Sequence, residues 1–122
     1  MSLRQRFNSF KYAIAGIREV TSSQMNMKIH ICCAIIAVLF GFLFSISPSE
    51  WCFVIMAIAA VMTAEAFNTA IEHLTDLVSP DHHPLAGKTK DAAAGAVLLT
   101  AIGATVVGLL IFLPKILAYI TT

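Results

Sequence analysis

The sequence predicts an all-α integral membrane protein, with three transmembrane helices preceded by an N-terminal amphipathic surface helix. Three observations lead there. Of 122 residues, 58% are hydrophobic and 12% charged, which is too apolar and too weakly charged for a soluble domain of this size. Three apolar segments approach the roughly 20 residues that a membrane helix needs. The first 28 residues carry five of the eight basic residues, interleaved with apolar ones at helical spacing. The length allows one membrane-embedded domain over residues 1–122, with a surface helix at about 3–20 and spans at about 25–46, 51–78 and 91–113. The net charge is +1, so nothing points to nucleic acid as a partner. No signal peptide is expected, because the N-terminus lacks a short apolar core followed by a small-residue cleavage site.

Taking the elements in order, Leu3, Phe7, Phe10, Ile14 and Ile17 are spaced four, three, four and three residues apart, among Arg4, Arg6, Lys11 and Arg18. That is the apolar stripe of a helix lying on a bilayer surface. Thr21-Ser22-Ser23 reads as a break, with Ser23 placed to cap the next helix. Ile29 to Ile46 is an uncharged apolar run and forms the first span, which can begin a turn earlier, at Gln24 to Lys28. His30, near its start, reads as an interfacial hydrogen-bonding residue. In Ser47-Pro48-Ser49-Glu50, Pro48 ends one helix and Ser49 is available to cap the next. Trp51 suits an interfacial anchor.

The second span begins near Trp51 and ends about Val78. Ser79 to Asp91 reads as an extended polar loop broken by Pro80, Pro84 and Gly87. From about Ala92 to Leu113 the third span carries no charge, and Pro114 and Lys115 mark its far end. Gly95, Gly103 and Gly108 give it small faces for close packing. Cys32, Cys33 and Cys52 read as small buried apolar residues, without disulfide or metal-ligand spacing. Three short helices make little core alone, so self-association is expected. The basic residues place the N-terminus and the second loop in the cytoplasm, because the first loop has none and only Lys115 follows the third span.

The informative stretch is Thr63 to Asp76. It has neither Pro nor Gly, so the second span continues through it as helix. Asn68, Glu72 and Asp76 follow Glu65 at i+3, i+7 and i+11, within an arc of roughly 80° and over roughly 16 Å. One face therefore carries three carboxylates and an amide. A charge at the centre of a membrane helix costs at least about 3 kcal/mol on insertion scales, so a divalent cation or a line of donors must compensate. A solvated cytoplasmic helix end accounts for Glu72 and Asp76. It accounts poorly for Glu65, the deepest of the three.

Carboxylates near Lys90 and Asn68 suit a metal–phosphate complex, since Mg2+ takes oxygen ligands and shares them with substrate phosphates. Lys90 can neutralise charge on a transferred phosphoryl group. Glu65 can take the proton from an attacking lipid hydroxyl. Neither a Walker A motif nor a kinase glycine loop is present. A cation channel or transporter subunit would use many of the same residues, and a catalytically inactive interaction protein is a further reading.

Glu65-Ala-Phe-Asn68-Thr-Ala-Ile-Glu72-His-Leu-Thr-Asp76, followed by His83-Pro-Leu-Ala-Gly87-Lys-Thr-Lys90-Asp91-Ala-Ala-Ala-Gly95-Ala-Val, resembles the small prokaryotic diacylglycerol kinase family. Ser9-Phe10, Ala13, Gly16-Ile17 and Asn26-Met-Lys28-Ile-His30 extend the resemblance over nearly the whole chain. Phe112-Leu-Pro114-Lys115 and the Glu72-His73 and His82-His83-Pro84-Leu85-Ala86 wording resemble the Gram-positive branch, which prefers undecaprenol to diacylglycerol. The resemblance implies an ATP-dependent lipid kinase of the bacterial inner membrane. It implies a homotrimer whose active sites are shared between neighbouring subunits at the cytoplasmic face. It implies Glu65 as catalytic base and Glu72 as a Mg2+ ligand. Asn68, Glu72, Asp76, Lys90 and Asp91 would position the nucleotide phosphates, and His83, Gly87 and Tyr12 would line the nucleotide pocket. The lipid alcohol would enter sideways from the bilayer. One position departs from the family pattern: where the family has a second metal-binding Glu, this chain has Gln24, which offers a carbonyl oxygen without the charge.

Overall fold

The computed structural model describes residues 1–122 as four helices: α1 (Leu3–Ser23), α2 (Met25–Leu43), α3 (Pro48–Val78) and α4 (Pro84–Thr121). The last three are long and apolar enough to cross a membrane. At 1.5 Å per residue α3 is about 46 Å long, roughly 16 Å more than a hydrocarbon core. α3 is the central element. It packs most extensively against α4, then against α2, and touches α1.

The helix ends follow from local chemistry, and several differ from the sequence expectation. Ser23 does not cap α2. Its hydroxyl donates to the Glu19 carbonyl at 2.7 Å, which keeps it in the last turn of α1. The break falls at Gln24, whose backbone is extended and whose side chain makes no capping bond. α2 ends at Leu43, before Ile46, because Ser45 turns left-handed with φ 49°. There Ile46 N–H donates to the Gly41 carbonyl and Ser45 N–H to the Phe42 carbonyl, the paired bonds of a Schellman ending.

Ser47, and not Ser49, caps α3. Its Oγ accepts from Glu50 N at 3.2 Å, and Glu50 Oε1 accepts from Ser47 N at 3.0 Å. Pro48 then opens the helix, at a position where its missing N–H costs nothing. α4 begins at Pro84 with His83 as cap, so Gly87 and Lys90 lie on its first turns and the irregular connection shortens to residues 79–83. α4 also runs through Pro114 to Thr121. A proline there removes one bond to the preceding turn. The segment beyond it is held by Ile116 packing on the core, by Tyr119 against Phe44, and by Lys115 bonded to Glu50 at 2.6 Å.

Only 12 of the 122 residues are buried, so most apolar side chains face outward and need a bilayer or other copies to cover them. Ile46, Val54, Ile111 and Phe112 form the one apolar cluster, at the end of the bundle where α2 turns into α3. Cys32, Cys33 and Cys52 are exposed free thiols on this outer surface, contrary to the expectation of burial. A protein that puts its apolar groups outward has little core in which to hide them. Leu3, Phe7, Phe10, Ile14 and Ile17 of α1 are likewise all exposed.

Candidate active site

The polar residues of α3 grade from buried to exposed along its C-terminal half. Glu65 is 1% exposed and Thr69 also 1%, Asn68 is buried, Glu72 is half-buried and Asp76 is exposed. The Thr69 hydroxyl donates back to the Glu65 carbonyl at 3.0 Å, satisfying itself within the helix. Asn68 Nδ2 donates to Glu72 Oε1 at 3.4 Å, one turn on. Two buried oxygens on this face have no partner: Glu65 Oε2 and Asn68 Oδ1. An unpaired buried carboxylate oxygen is costly, and it marks a place where a ligand group has something to gain.

Two residues from other helices complete this face. On α2, His30 Nε2 lies 3.6 Å from Glu65 Oε2, close enough to interact with the carboxylate and too far for a hydrogen bond. On α4, Lys90 forms an ion pair with Asp76. The hydrogen bond to Asp76 holds the Lys90 ammonium above its ordinary value, against a lesser cost of burial, and the charges of Asp76 and Glu72 add to the effect. Lys90 is therefore a fixed cation beside the two outer carboxylates.

A cleft of about 270 Å³ opens beside the buried end. Asn26, His30, Glu65 and Asn68 supply its polar lining, and Ala94 and Val97 of α4 lie opposite. A larger apolar groove of about 370 Å³ runs between α2, α3 and α4, and His30 lines that one too. The imidazole thus stands where an apolar channel meets the polar cleft.

The structure therefore brings Glu65, Asn68 and Glu72 together on one helix, and Asp76 to Lys90. It does not bring the remaining expected site residues to them within one chain. Tyr12 is exposed on α1. The Gln24 carboxamide nitrogen donates only to the Ser23 hydroxyl, at 3.3 Å. Asp91 is exposed, and a Cβ built on Gly87 would meet nothing within 4 Å. His83 caps α4, its Nδ1 accepting from Leu85 N at 3.0 Å, which leaves Nε2 as the N–H donor of a neutral ring. Sequence reasoning assigned no site role to His30 or Asn26. The available signal was their spacing: they lie four residues apart on one face at the start of an otherwise apolar helix.

No three His, Cys, Asp or Glu side chains converge in one chain to hold a metal by themselves. The donor types nevertheless suit a hard divalent cation, because Glu72 and Gln24 both offer oxygen. Mg2+ keeps several waters and takes one or two carboxylates together with substrate phosphates.

Comparison with known proteins gives a family. The prokaryotic diacylglycerol kinase family model matches residues 11–112. The chain is 43% identical over 114 residues to an undecaprenol kinase of Bacillus subtilis, covering 93% of each chain. It is 37% identical over 111 residues to a diacylglycerol kinase of Synechocystis, covering 90% of this chain and 63% of that longer relative. It is 26% identical over 97 residues to a diacylglycerol kinase of Haemophilus influenzae, covering 80% of this chain and 82% of the relative.

Proposed function

Because the chain belongs to the prokaryotic diacylglycerol kinase family, we propose that it moves the γ-phosphoryl group of ATP onto undecaprenol. It is a membrane-embedded lipid kinase. The choice of undecaprenol rests on the 43% identity that spans 93% of both this chain and a relative of that name. Its site lies on the cytoplasmic face of the bacterial inner membrane, and the protein works as a homotrimer. The outward-facing apolar surface supports assembly, and so does the scatter of site residues that one chain leaves apart.

The observation that carries the chemistry is Glu65, a carboxylate 1% exposed with one oxygen unpartnered. Its burial supports a base at the point where a lipid hydroxyl would arrive. As that hydroxyl oxygen attacks the γ-phosphorus, Glu65 takes its proton, and the bond between the γ-phosphorus and the bridging oxygen breaks to release ADP. Lys90 faces the growing negative charge on the phosphates. Asn68, Asp76 and Asp91 position the nucleotide. His83, through its Nε2 N–H, Gly87 and Tyr12 line the nucleotide pocket, with α1 lying on the bilayer surface. Glu72 and the Gln24 carbonyl oxygen would hold Mg2+, which neutralises phosphate charge when bound.

A second reading, phosphorylation of diacylglycerol, is favoured by the diacylglycerol kinases among the relatives, those of Synechocystis and Haemophilus influenzae included. Both alcohols presented in one mixed micelle with ATP give the ratio of kcat/KM directly. We expect undecaprenol to win. A ratio favouring diacylglycerol selects the second reading, and no lipid-dependent ADP release with either alcohol overturns both.

A further inference from the structure

We infer that His30 is the group that discharges Glu65 after each turnover, carrying the lipid-derived proton from the buried carboxylate to water. The inference rests on Glu65 acting as the base.

A base that is 1% exposed has almost no direct contact with solvent, and a second turnover cannot begin until it has shed its proton. The surroundings of Glu65 offer few acceptors. Thr69 does not titrate, and its hydroxyl is committed to the Glu65 carbonyl. Asn26 and Asn68 do not titrate in this range. The facing part of α4 supplies Ala94, Val97, Leu98 and Ala101 to the shared cleft, none of them ionisable. The next carboxylate on α3, Glu72, lies two turns away, about 10 Å along the axis. Lys90 is already a cation paired with Asp76. On α2, Lys28 is a cation and exposed. His30 is left. Its Nε2 is 3.6 Å from Glu65 Oε2, the very oxygen without a partner, and its side chain is 19% exposed. The ring thus lies at the carboxylate and keeps more exposure than Glu65 does, beside the cleft that both residues line.

The transfers balance. The hydroxyl proton ends on Glu65 as its oxygen bonds to phosphorus. The neutral imidazole then takes that proton on Nε2, restoring the carboxylate and becoming imidazolium. The imidazolium gives a proton to water, and the ring is neutral again. The separation of 3.6 Å exceeds a hydrogen bond, and catalytic contacts of this kind commonly tighten only when substrate is bound. An imidazole is suited to the task because it changes charge near neutral pH.

Pre-steady-state kinetics separate a discharge role from a structural one. Because the base reading starts from a Glu65 carboxylate, His30→Gln should phosphorylate one lipid per site at the wild-type rate and then slow. This burst should precede a kcat lowered about 10²-fold, with KM for ATP and lipid little changed. In His30→Ala, added imidazole should restore multiple turnover, more so at higher pH. A wild-type kcat in His30→Gln overturns the inference. So does a first turnover slowed as much as kcat, with no rescue by imidazole. Glu65→Gln is run alongside. Loss of its first turnover supports the base reading, and an intact first turnover removes that reading and this inference together. A failure confined to the His30 variants removes only the inference.

Discussion

Lys115 Nζ lies 2.6 Å from Glu50 Oε2, at the opposite end of the α3–α4 hairpin from the Lys90–Asp76 pair. The two pairs enclose nearly equal lengths of the two antiparallel helices, so together they specify one register. A slip of one turn would break both. The Lys115 hydrogen bond holds the Glu50 carboxyl below its ordinary 4.5, helped by the Ser47 backbone N–H. A lowered folded value means that the pair's contribution is complete above about 4.5 and is lost as pH falls through the lowered value. Wild type should therefore lose thermal stability in detergent at acid pH more steeply than Glu50→Gln. The difference should shrink in salt, because the pair is partly solvated. Parallel stability–pH curves would remove the pair from any stabilising role.

Glu65→Gln keeps the shape and removes the base. We expect kcat to fall about 10²- to 10⁴-fold, while nucleotide affinity stays within a few-fold, because the proposed phosphate contacts lie further along α3. Unchanged turnover at saturating lipid would exclude the base role.

Lys90→Ala removes the one cation beside Glu72 and Asp76. We expect kcat/KM for ATP to fall about 10²-fold. The raised Lys90 value means that its charge is present below about 10.5 and is lost only as pH rises above the ordinary value. The loss should therefore be constant across neutral pH. Wild-type kinetics in a correctly inserted Lys90→Ala protein would leave Lys90 as a topology determinant only.

Gln24→Glu restores a charge to the expected metal shell. Turnover should rise and half-saturation should need less Mg2+, because a carboxylate attracts the cation where a carboxamide offers only its oxygen dipole. Superimposable Mg2+ titrations of the two proteins would put position 24 outside the shell.

Gly41 is needed for space. A Cβ there would sit 2.5 Å from Trp51 Cη2 and 2.8 Å from Cζ2, and the ring is already packed on Phe42 with centroids 4.9 Å apart. Gly41→Ala should cost about 1–3 kcal/mol by overpacking. Thermal unfolding in detergent measures the loss, and Trp51→Leu in the same chain should recover part of it. No loss in the single variant would mean that the α2–α3 turn accommodates the methyl group freely.

The sequence by itself determined the class of this protein, its apolar helices and its polar α3 face. Inside a bilayer each helix must satisfy its own backbone bonds, so hydropathy and helical period, which are local quantities, suffice to find it. The same period put Glu65, Asn68 and Glu72 on one face, and a long motif tied them to a family. Some helix ends were misread although their signals were local: Ser47, one residue before Pro48, was the cap, and Pro84 was a first-turn residue before it was a breaker.

Only the tertiary structure decided which groups answer the buried carboxylate, and that α4 continues past Pro114. Glu65 is sealed by helices from elsewhere in the chain, and its neighbour His30 lies thirty-five positions before it. Lys115 reaches Glu50 across sixty-five positions. No local pattern carries such pairings, because they depend on the register at which whole helices pack. That register is settled by the summed fit of many side chains, and no single stretch contains it.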